Sequence, residues 1–132
     1  MKILVVDDSE TVRIRLRGFL EKNGHVIYEA DSGLSALEVL KSDKEIRMII
    51  SDLNMPEMDG MEFIEHTRKI QEFTDTPVLI CTTEVCEELK TRAKSLGVKA
   101  WMQKPLRLSK ILGVLNMIFP SSAENEVQSA NG

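Results

Sequence analysis

Short runs of apolar residues alternate along the chain with longer stretches in which apolar residues recur every three or four positions. The runs are continuous, which is typical of strands that are buried on both faces of a parallel sheet. The first run, Ile3-Leu4-Val5-Val6, ends at two aspartates. We predict five strands, at residues 3–6, 25–30, 47–52, 77–82 and 100–103.

The longer stretches predict amphipathic helices, because a repeat of about 3.6 residues places their apolar side chains on one face. The first helix begins near Ser9, which suits a helix N-terminus, and ends at Asn23-Gly24. The third extends from about residue 59 to residue 70. The other three are marked by apolar residues at positions 36, 37 and 40, at 85, 89, 93 and 96, and at 108, 111, 112, 115 and 119.

The alternation of five strands with five helices predicts a doubly wound α/β fold. Right-handed crossovers then join parallel strands, and helices cover both faces of one sheet. From Pro120 onward the chain is polar, and Val127 is its only bulky apolar residue. Such a segment buries too little apolar surface to become ordered. We therefore expect one domain at residues 1–119 and a flexible polar tail at residues 120–132.

The composition narrows the possible classes of function. The chain has 132 residues, enough for one domain with a hydrophobic core. Its net charge of −4 gives no reason to expect a nucleic-acid partner. There is neither an apolar run long enough to cross a membrane nor a signal peptide. Cys81 and Cys86 are not spaced as metal ligands, so we expect reduced thiols and a cytoplasmic protein.

Polar side chains follow the strands at the ends where ligands bind in parallel sheets. Asp7 and Asp8 follow the first strand, and Asp52 ends the third. Thr82 ends the fourth strand, and Lys104 follows the fifth. Because the carboxyl ends of parallel strands meet at one edge, we expect these five side chains to lie close together.

Three carboxylates at one edge repel one another and favour a divalent cation, for which their oxygen atoms suit Mg²⁺. Taken alone, Asp7 or Asp8 is equally well interpreted as a cap of the first helix. The chain has no Gly-rich turn after the first strand, which argues against a nucleotide pocket. A carboxylate nucleophile with a hydroxyl and a lysine instead indicates phosphoryl transfer to aspartate.

Asp7-Asp8, Asp52, the loop at residues 54–60, Cys81-Thr82-Thr83 and Lys104-Pro105 together resemble the signature of response-regulator receiver domains. The resemblance covers residues 1–119, and within the family it is greatest to stand-alone chemotaxis regulators. It implies a flavodoxin-like (βα)5 fold with a five-stranded parallel sheet in the order 2-1-3-4-5.

The resemblance also implies a role for each acidic residue. Asp52 is the phosphoacceptor. Asp8, Asp52 and the backbone carbonyl of Asn54 bind Mg²⁺ directly, and Asp7 binds it through a water molecule. The protein is then no independent enzyme, although it assists its own phosphorylation and dephosphorylation.

The resemblance further implies a switch. Lys104 contacts the phosphoryl group, and Thr82 moves to hydrogen-bond it. Trp101 occupies the switch position, where relatives usually have Tyr or Phe. Without the resemblance, a tryptophan on a strand is better interpreted as a core or half-buried residue. Asn54 and Glu84 stand where relatives tune the lifetime of the phosphoryl group.

The implied partners are a histidine kinase as phosphodonor and a downstream target, such as a flagellar motor switch protein or a phosphatase. The target would bind the fourth helix, fifth strand and fifth helix of a monomer, through Trp101, Thr82, Lys90, Lys94 and Lys99. Each lysine alone is more simply part of a solvated helix face. As a group they suit an acidic partner.

Two rival interpretations remain. The first is an Mg²⁺-dependent phosphohydrolase with an aspartate nucleophile. Such enzymes typically have a DxD motif after the first strand, whereas this chain has Asp7-Asp8-Ser9 and no inserted cap domain. The second is a degenerate receiver that only scaffolds partners, and the presence of all five site residues argues against it.

Overall fold

The computed structural model describes residues 1–120, which form five strands and five α-helices in strict alternation. The flexible tail predicted at residues 120–132 lies outside the described residues, apart from Pro120. The strands are β1 (Lys2–Val6), β2 (Val26–Ala30), β3 (Met48–Ser51), β4 (Val78–Thr82) and β5 (Val98–Gln103). The helices are α1 (Glu10–Lys22), α2 (Gly33–Ser42), α3 (Gly60–Arg68), α4 (Glu87–Ser95) and α5 (Leu108–Ile118).

The strands form one parallel sheet in the order β2-β1-β3-β4-β5, which confirms the expected fold. β1 lies between β2 and β3, so Val6 pairs with Ala30 on one side and with Ser51 on the other. Because all strands run the same way, their carboxyl ends lie along one edge of the sheet, here called the carboxyl edge.

Helices cover both faces of the sheet, and each face has its own hydrophobic core. On one face, apolar side chains of α2, α3 and α4 pack against the sheet around Phe63 and Phe73, which are fully buried. On the other face, α1 and α5 pack against it through Leu16, Leu20 and Ile111. The central strands are therefore buried on both faces, as their continuous apolar runs predicted.

The structure corrects two predicted elements. Helix α4 begins at Glu87, so Val85 lies in the preceding loop with 57% of its surface exposed. Strand β5 begins at Val98, two residues earlier than predicted, and its second residue Lys99 is exposed. β5 is an edge strand, so it tolerates a polar residue that breaks the apolar run.

The segment after α3 also differs from its prediction. Helix α3 ends at Arg68, and a separate 3-10 turn, Gln71–Phe73, follows it. This turn places Phe73 in the core, where it is fully buried. An apolar side chain three residues beyond Ile70 does not reveal from sequence that the helix has been interrupted.

Candidate functional site

Four of the predicted site residues meet at the carboxyl edge. Asp7 and Asp8 directly follow β1, Asp52 follows β3, and Lys104 follows β5. The three aspartates each offer a carboxylate oxygen, and these oxygens all lie within 4.8 Å of one another. Asp7 and Asp52 are buried, whereas Asp8 is exposed to solvent. The edge is thus an acidic site that is open on the side of Asp8.

Lys104 supplies the positive charge that holds two of these carboxylates together. Its Nζ donates to Asp7 Oδ2 at 2.8 Å and to Asp52 Oδ2 at 2.9 Å. Burial lowers the pKa of Lys104, but the hydrogen bonds and charges of Asp7 and Asp52 outweigh that effect and raise it above its usual value. Lys104 is therefore a permanent cation at neutral pH.

The second oxygen of Asp52 is anchored by the loop that follows it. Asp52 Oδ1 accepts hydrogen bonds from the backbone N–H groups of Leu53, at 2.6 Å, and Asn54, at 3.2 Å. The loop closes onto Asp52 at Gly60, where a Cβ atom would lie 2.4 Å from the Asp52 carbonyl oxygen. Only glycine fits there without moving the backbone. The orientation of the Asp52 carboxylate is therefore fixed by its own loop.

Asp7 is held at every polar atom. Its N–H donates to the Ala30 carbonyl at 3.1 Å, and its Oδ1 accepts from the Ser9 N–H at 2.9 Å. Its carbonyl accepts from Arg13 Nη1 at 2.6 Å, and Arg13 Nε also donates to Glu29 Oε1 at 3.0 Å. Arg13 was not predicted from the sequence as a site residue. Its position in the first turns of α1, six residues after Asp7, was the available signal.

The Thr82 hydroxyl makes its hydrogen bond to the loop after β4 and not to the carboxylates. Its side chain is fully buried at the end of β4, and Oγ1 accepts from the Glu84 N–H at 3.3 Å. The Glu84 carbonyl in turn accepts from Trp101 Nε1 at 3.3 Å. Thr82 and Trp101 are thus connected through the backbone of one loop residue, and the half-buried indole N–H has a partner.

The predicted partner surface is a basic groove beside Trp101. Lys90, Lys94 and Lys99 line it together with the indole, and its volume is about 320 Å³. Lys90 Nζ lies 5.7 Å from the centre of the Trp101 ring, a cation–π arrangement. Four of the five residues predicted for this surface therefore lie together in the groove, and Thr82 does not line it.

Neither cysteine belongs to the site chemistry. Both are free, and Cys81 is buried whereas Cys86 is half-buried. Burial raises the pKa of the Cys81 thiol to about 12, so it is protonated at neutral pH and is a poor nucleophile.

The residues at the carboxyl edge fit Mg²⁺. Asp7, Asp8 and Asp52 provide the hard carboxylate oxygens that this ion prefers, and exposed Asp8 leaves room for the waters it retains. Within residues 1–120, no other group of three metal-ligating side chains meets in this way.

The chain thus combines a parallel (βα)5 fold with three aspartates and a lysine at its carboxyl edge. The family model for the response regulator receiver domain matches residues 3–116, and the chain belongs to this family. No helix within residues 1–120 has the length and hydropathy needed to cross a membrane.

Individual relatives narrow the class further. The chain is 36% identical over 106 residues to a chemotaxis protein CheY homolog of Campylobacter jejuni, covering 80% of this chain and 82% of the relative. It is 35% identical over 120 residues to chemotaxis protein CheY-3 of Vibrio cholerae, covering 90% and 92%. The crystal structure of CheY4 of Vibrio cholerae matches with a TM-score of 0.83 and 34% identity, covering 88% and 96%. The chain is thus a receiver domain of the CheY type found in chemotaxis response regulators.

Proposed function

We propose that Asp52 accepts a phosphoryl group from a phosphohistidine of a histidine kinase, and that the phosphorylated chain binds a target protein. The observation that carries this proposal is the placement of Asp52. It has one oxygen anchored by two backbone N–H groups and the other paired with a lysine, beside two further carboxylates.

The transfer is a displacement at phosphorus. An Asp52 carboxylate oxygen forms the new P–O bond while the P–N bond to the kinase imidazole breaks, and the electron pair stays on the imidazole nitrogen. Lys104, now 2.9 Å from Asp52 Oδ2, turns its ammonium to the incoming phosphoryl oxygens and offsets their charge. The Thr82 hydroxyl leaves the Glu84 N–H and donates to the same group.

Asp8, Asp52 and the backbone carbonyl of Asn54 would hold Mg²⁺, with Asp7 acting through a water molecule. When bound, the ion neutralises negative charge on the phosphoryl oxygens. Asp7 has a separate task, since it holds the Lys104 ammonium at 2.8 Å and keeps it at the site while Asp52 reacts. Asn54 and Glu84, whose backbone N–H groups bond Asp52 and Thr82, would set how long the phosphoryl group survives.

The added charge reaches the partner surface through Thr82, Glu84 and Trp101. When Thr82 releases the Glu84 N–H, the loop whose carbonyl holds the indole is free to move. This biases a two-state element and changes the basic groove beside Trp101. The groove then suits an acidic segment of the target.

The setting of this function follows from the relatives, which are named as chemotaxis proteins. The target is accordingly a flagellar motor switch protein or a phosphatase. The receiver domain occupies residues 1–119 and acts in the cytoplasm as a monomer.

The proposal is tested by labelling with acetyl phosphate. The wild-type chain should take up about one phosphoryl group per chain in an Mg²⁺-dependent manner, and Asp52→Asn should take up none because an amide is no nucleophile for phosphorus. Intact-protein mass spectrometry in acidic quench measures the uptake.

Asp31→Asn is the matched control, since Asp31 is an exposed aspartate that follows β2 at the same edge. It should be labelled like the wild type. Full labelling of Asp52→Asn would refute the proposal. Release of many equivalents of phosphate from a phosphorylated metabolite would instead favour the phosphohydrolase.

A further inference from the structure

Arg13 joins the acidic turn after β1 to the end of strand β2. Its Nη1 donates to the Asp7 carbonyl at 2.6 Å, and its Nε donates to Glu29 Oε1 at 3.0 Å. The side chain is only 15% exposed, so these hydrogen bonds are shielded from water. The planar guanidinium makes both bonds at once, which fixes its own orientation.

The bond to the Asp7 carbonyl constrains the backbone from which Asp8 departs. That carbonyl belongs to the peptide that joins Asp7 to Asp8. The Asp7 N–H is already bonded to the Ala30 carbonyl at 3.1 Å, so Arg13 fixes the one backbone polar group of Asp7 that the sheet leaves free. Fixing this peptide plane fixes the N–Cα bond of Asp8, from which its exposed side chain departs, and so restricts the positions that the Asp8 carboxylate can reach.

The charge of Arg13 is balanced by Glu29 in a small network of ion pairs. Glu29 accepts from Arg13 at 3.0 Å through one oxygen and from Arg17 Nη1 at 2.8 Å through the other. Arg17 is in turn paired with Glu21 at 2.9 Å. Arg13 therefore contributes two fixed hydrogen bonds to the site region, and Glu29 offsets much of its charge.

We propose that Arg13 is a positioning residue for cation binding: by linking the Asp7–Asp8 peptide to Glu29, it preorganises Asp8 as an Mg²⁺ ligand. The inference rests on the proposed Mg²⁺ site. Groups that orient metal ligands typically change metal affinity by about 10- to 100-fold when they are removed. Arg13 thus acts through Asp8 and touches neither Asp52 nor the phosphoryl group.

The alternative, that Arg13 acts only through its charge, makes the opposite prediction. A nearby positive charge repels Mg²⁺, so its removal would strengthen binding. Loss of positioning weakens binding instead. Arg13→Met removes both the charge and the hydrogen bonds, so the sign of its effect separates the two interpretations.

The experiment is calorimetric titration of the full chain with MgCl₂. Arg13→Met should raise the Mg²⁺ dissociation constant by about 10-fold. Arg13→Lys should raise it too, because an ammonium keeps the charge but cannot bridge the carbonyl and Glu29 in a fixed fork. Arg17→Met, which removes the neighbouring arginine bonded to Glu29 but not to Asp7, should stay within about twofold of the wild type.

A second readout excludes a merely structural role. At saturating Mg²⁺, the rate of labelling by acetyl phosphate should recover to within about threefold of the wild type in both Arg13 variants, because the lost orientation is then compensated by mass action. Circular dichroism establishes whether each variant is folded. If Arg13→Met does not fold, the titration of Arg13→Lys carries the test.

Unchanged or tighter Mg²⁺ binding by a folded Arg13 variant would overturn this inference and leave the proposed function intact. Failure of the wild type to bind Mg²⁺ would count against the proposed metal site itself. The two failures are therefore distinguishable within one set of titrations.

Discussion

At the scale of single residues, the site is defined by two buried carboxylates that share one ammonium. Lys104 donates to Asp7 at 2.8 Å and to Asp52 at 2.9 Å, and its side chain is 17% exposed. Two buried acidic groups without a counter-charge cost several kcal/mol. Lys104 therefore stabilises the fold as well as serving the proposed transfer.

Replacement of Lys104 by methionine separates these contributions. In Lys104→Met without Mg²⁺, the free energy of unfolding should fall by about 3 kcal/mol, because Asp7 and Asp52 lose their shared cation. Added Mg²⁺ should restore more stability to the variant than it adds to the wild type, since no ammonium competes for the same oxygens. Urea unfolding with and without MgCl₂ measures both effects.

Lys110→Met is the control, because Lys110 is an exposed lysine of α5. Its stability should stay within about 0.5 kcal/mol of the wild type and its response to Mg²⁺ unchanged. Equal Mg²⁺ stabilisation of Lys104→Met and wild type would mean that the ammonium and the ion do not share a site.

At the scale of elements, the loop between β4 and α4 is tied to β5 by one side chain. The Trp101 indole N–H donates to the Glu84 carbonyl, and the Glu84 N–H donates to the Thr82 hydroxyl. The loop is thereby attached to the strand on each side of it. Val85 follows this attached residue and lies outside α4, which begins at Glu87, so the pattern that included Val85 in the helix was wrong.

Trp101→Phe tests that connection, because phenylalanine keeps an aromatic ring but removes the N–H. Loss of one hydrogen bond, worth about 1 kcal/mol, should make the Glu84 amide exchange with solvent about fivefold faster. Amide hydrogen exchange followed by NMR measures the change.

Lys90→Met is the matched variant, since it removes the cation over the Trp101 ring and leaves the indole N–H bonded. Exchange at Glu84 should then stay close to the wild-type rate. Slow exchange in Trp101→Phe would mean that the loop is held by other contacts.

At the scale of the whole molecule, the two ends of the strands carry different groups of charged residues. The carboxyl edge bears the acidic site, whereas the opposite end has an ion cluster around Asp43, where α2 ends. Asp43 Oδ2 accepts from the Tyr28 hydroxyl at 2.6 Å and from Lys2 Nζ at 2.9 Å. These partners, with the Glu45 N–H, lower the pKa of Asp43 from 3.8 to about 2.

This cluster predicts a specific acid sensitivity. Because the pKa of Asp43 is lower in the folded state, its carboxylate stabilises the fold fully above its unfolded pKa. That stabilisation is lost as the pH falls from 3.8 toward about 2. Asp43→Asn should therefore show a smaller loss of unfolding free energy across this window, measured by urea unfolding at several pH values.

Glu38→Gln is the control for acid unfolding, since Glu38 is an exposed residue of α2. It should follow the wild-type pH profile. An equally steep profile in Asp43→Asn would show that other carboxylates dominate the acid response.

Local patterns predicted most of the fold because the three central strands, β1, β3 and β4, are apolar runs that end at a polar residue. The runs that end at Asp7, Asp52 and Thr82 are buried on both faces, so nothing in their pattern is ambiguous. The apolar pattern failed to predict the start of β5, where the strand is only partly buried. β5 is half-buried and contains exposed Lys99, so its start at Val98 was missed.

The sequence by itself determined the order of the elements and the arrival of Asp7, Asp8, Asp52 and Lys104 at one edge, because parallel strands bring their carboxyl ends together. Only the tertiary structure decided which groups touch. Arg13 reaches the Asp7 carbonyl, and Thr82 is joined to Trp101 through Glu84. Such contacts depend on side-chain directions and on backbone carbonyls of distant segments, and local apolar periodicity contains no information about either.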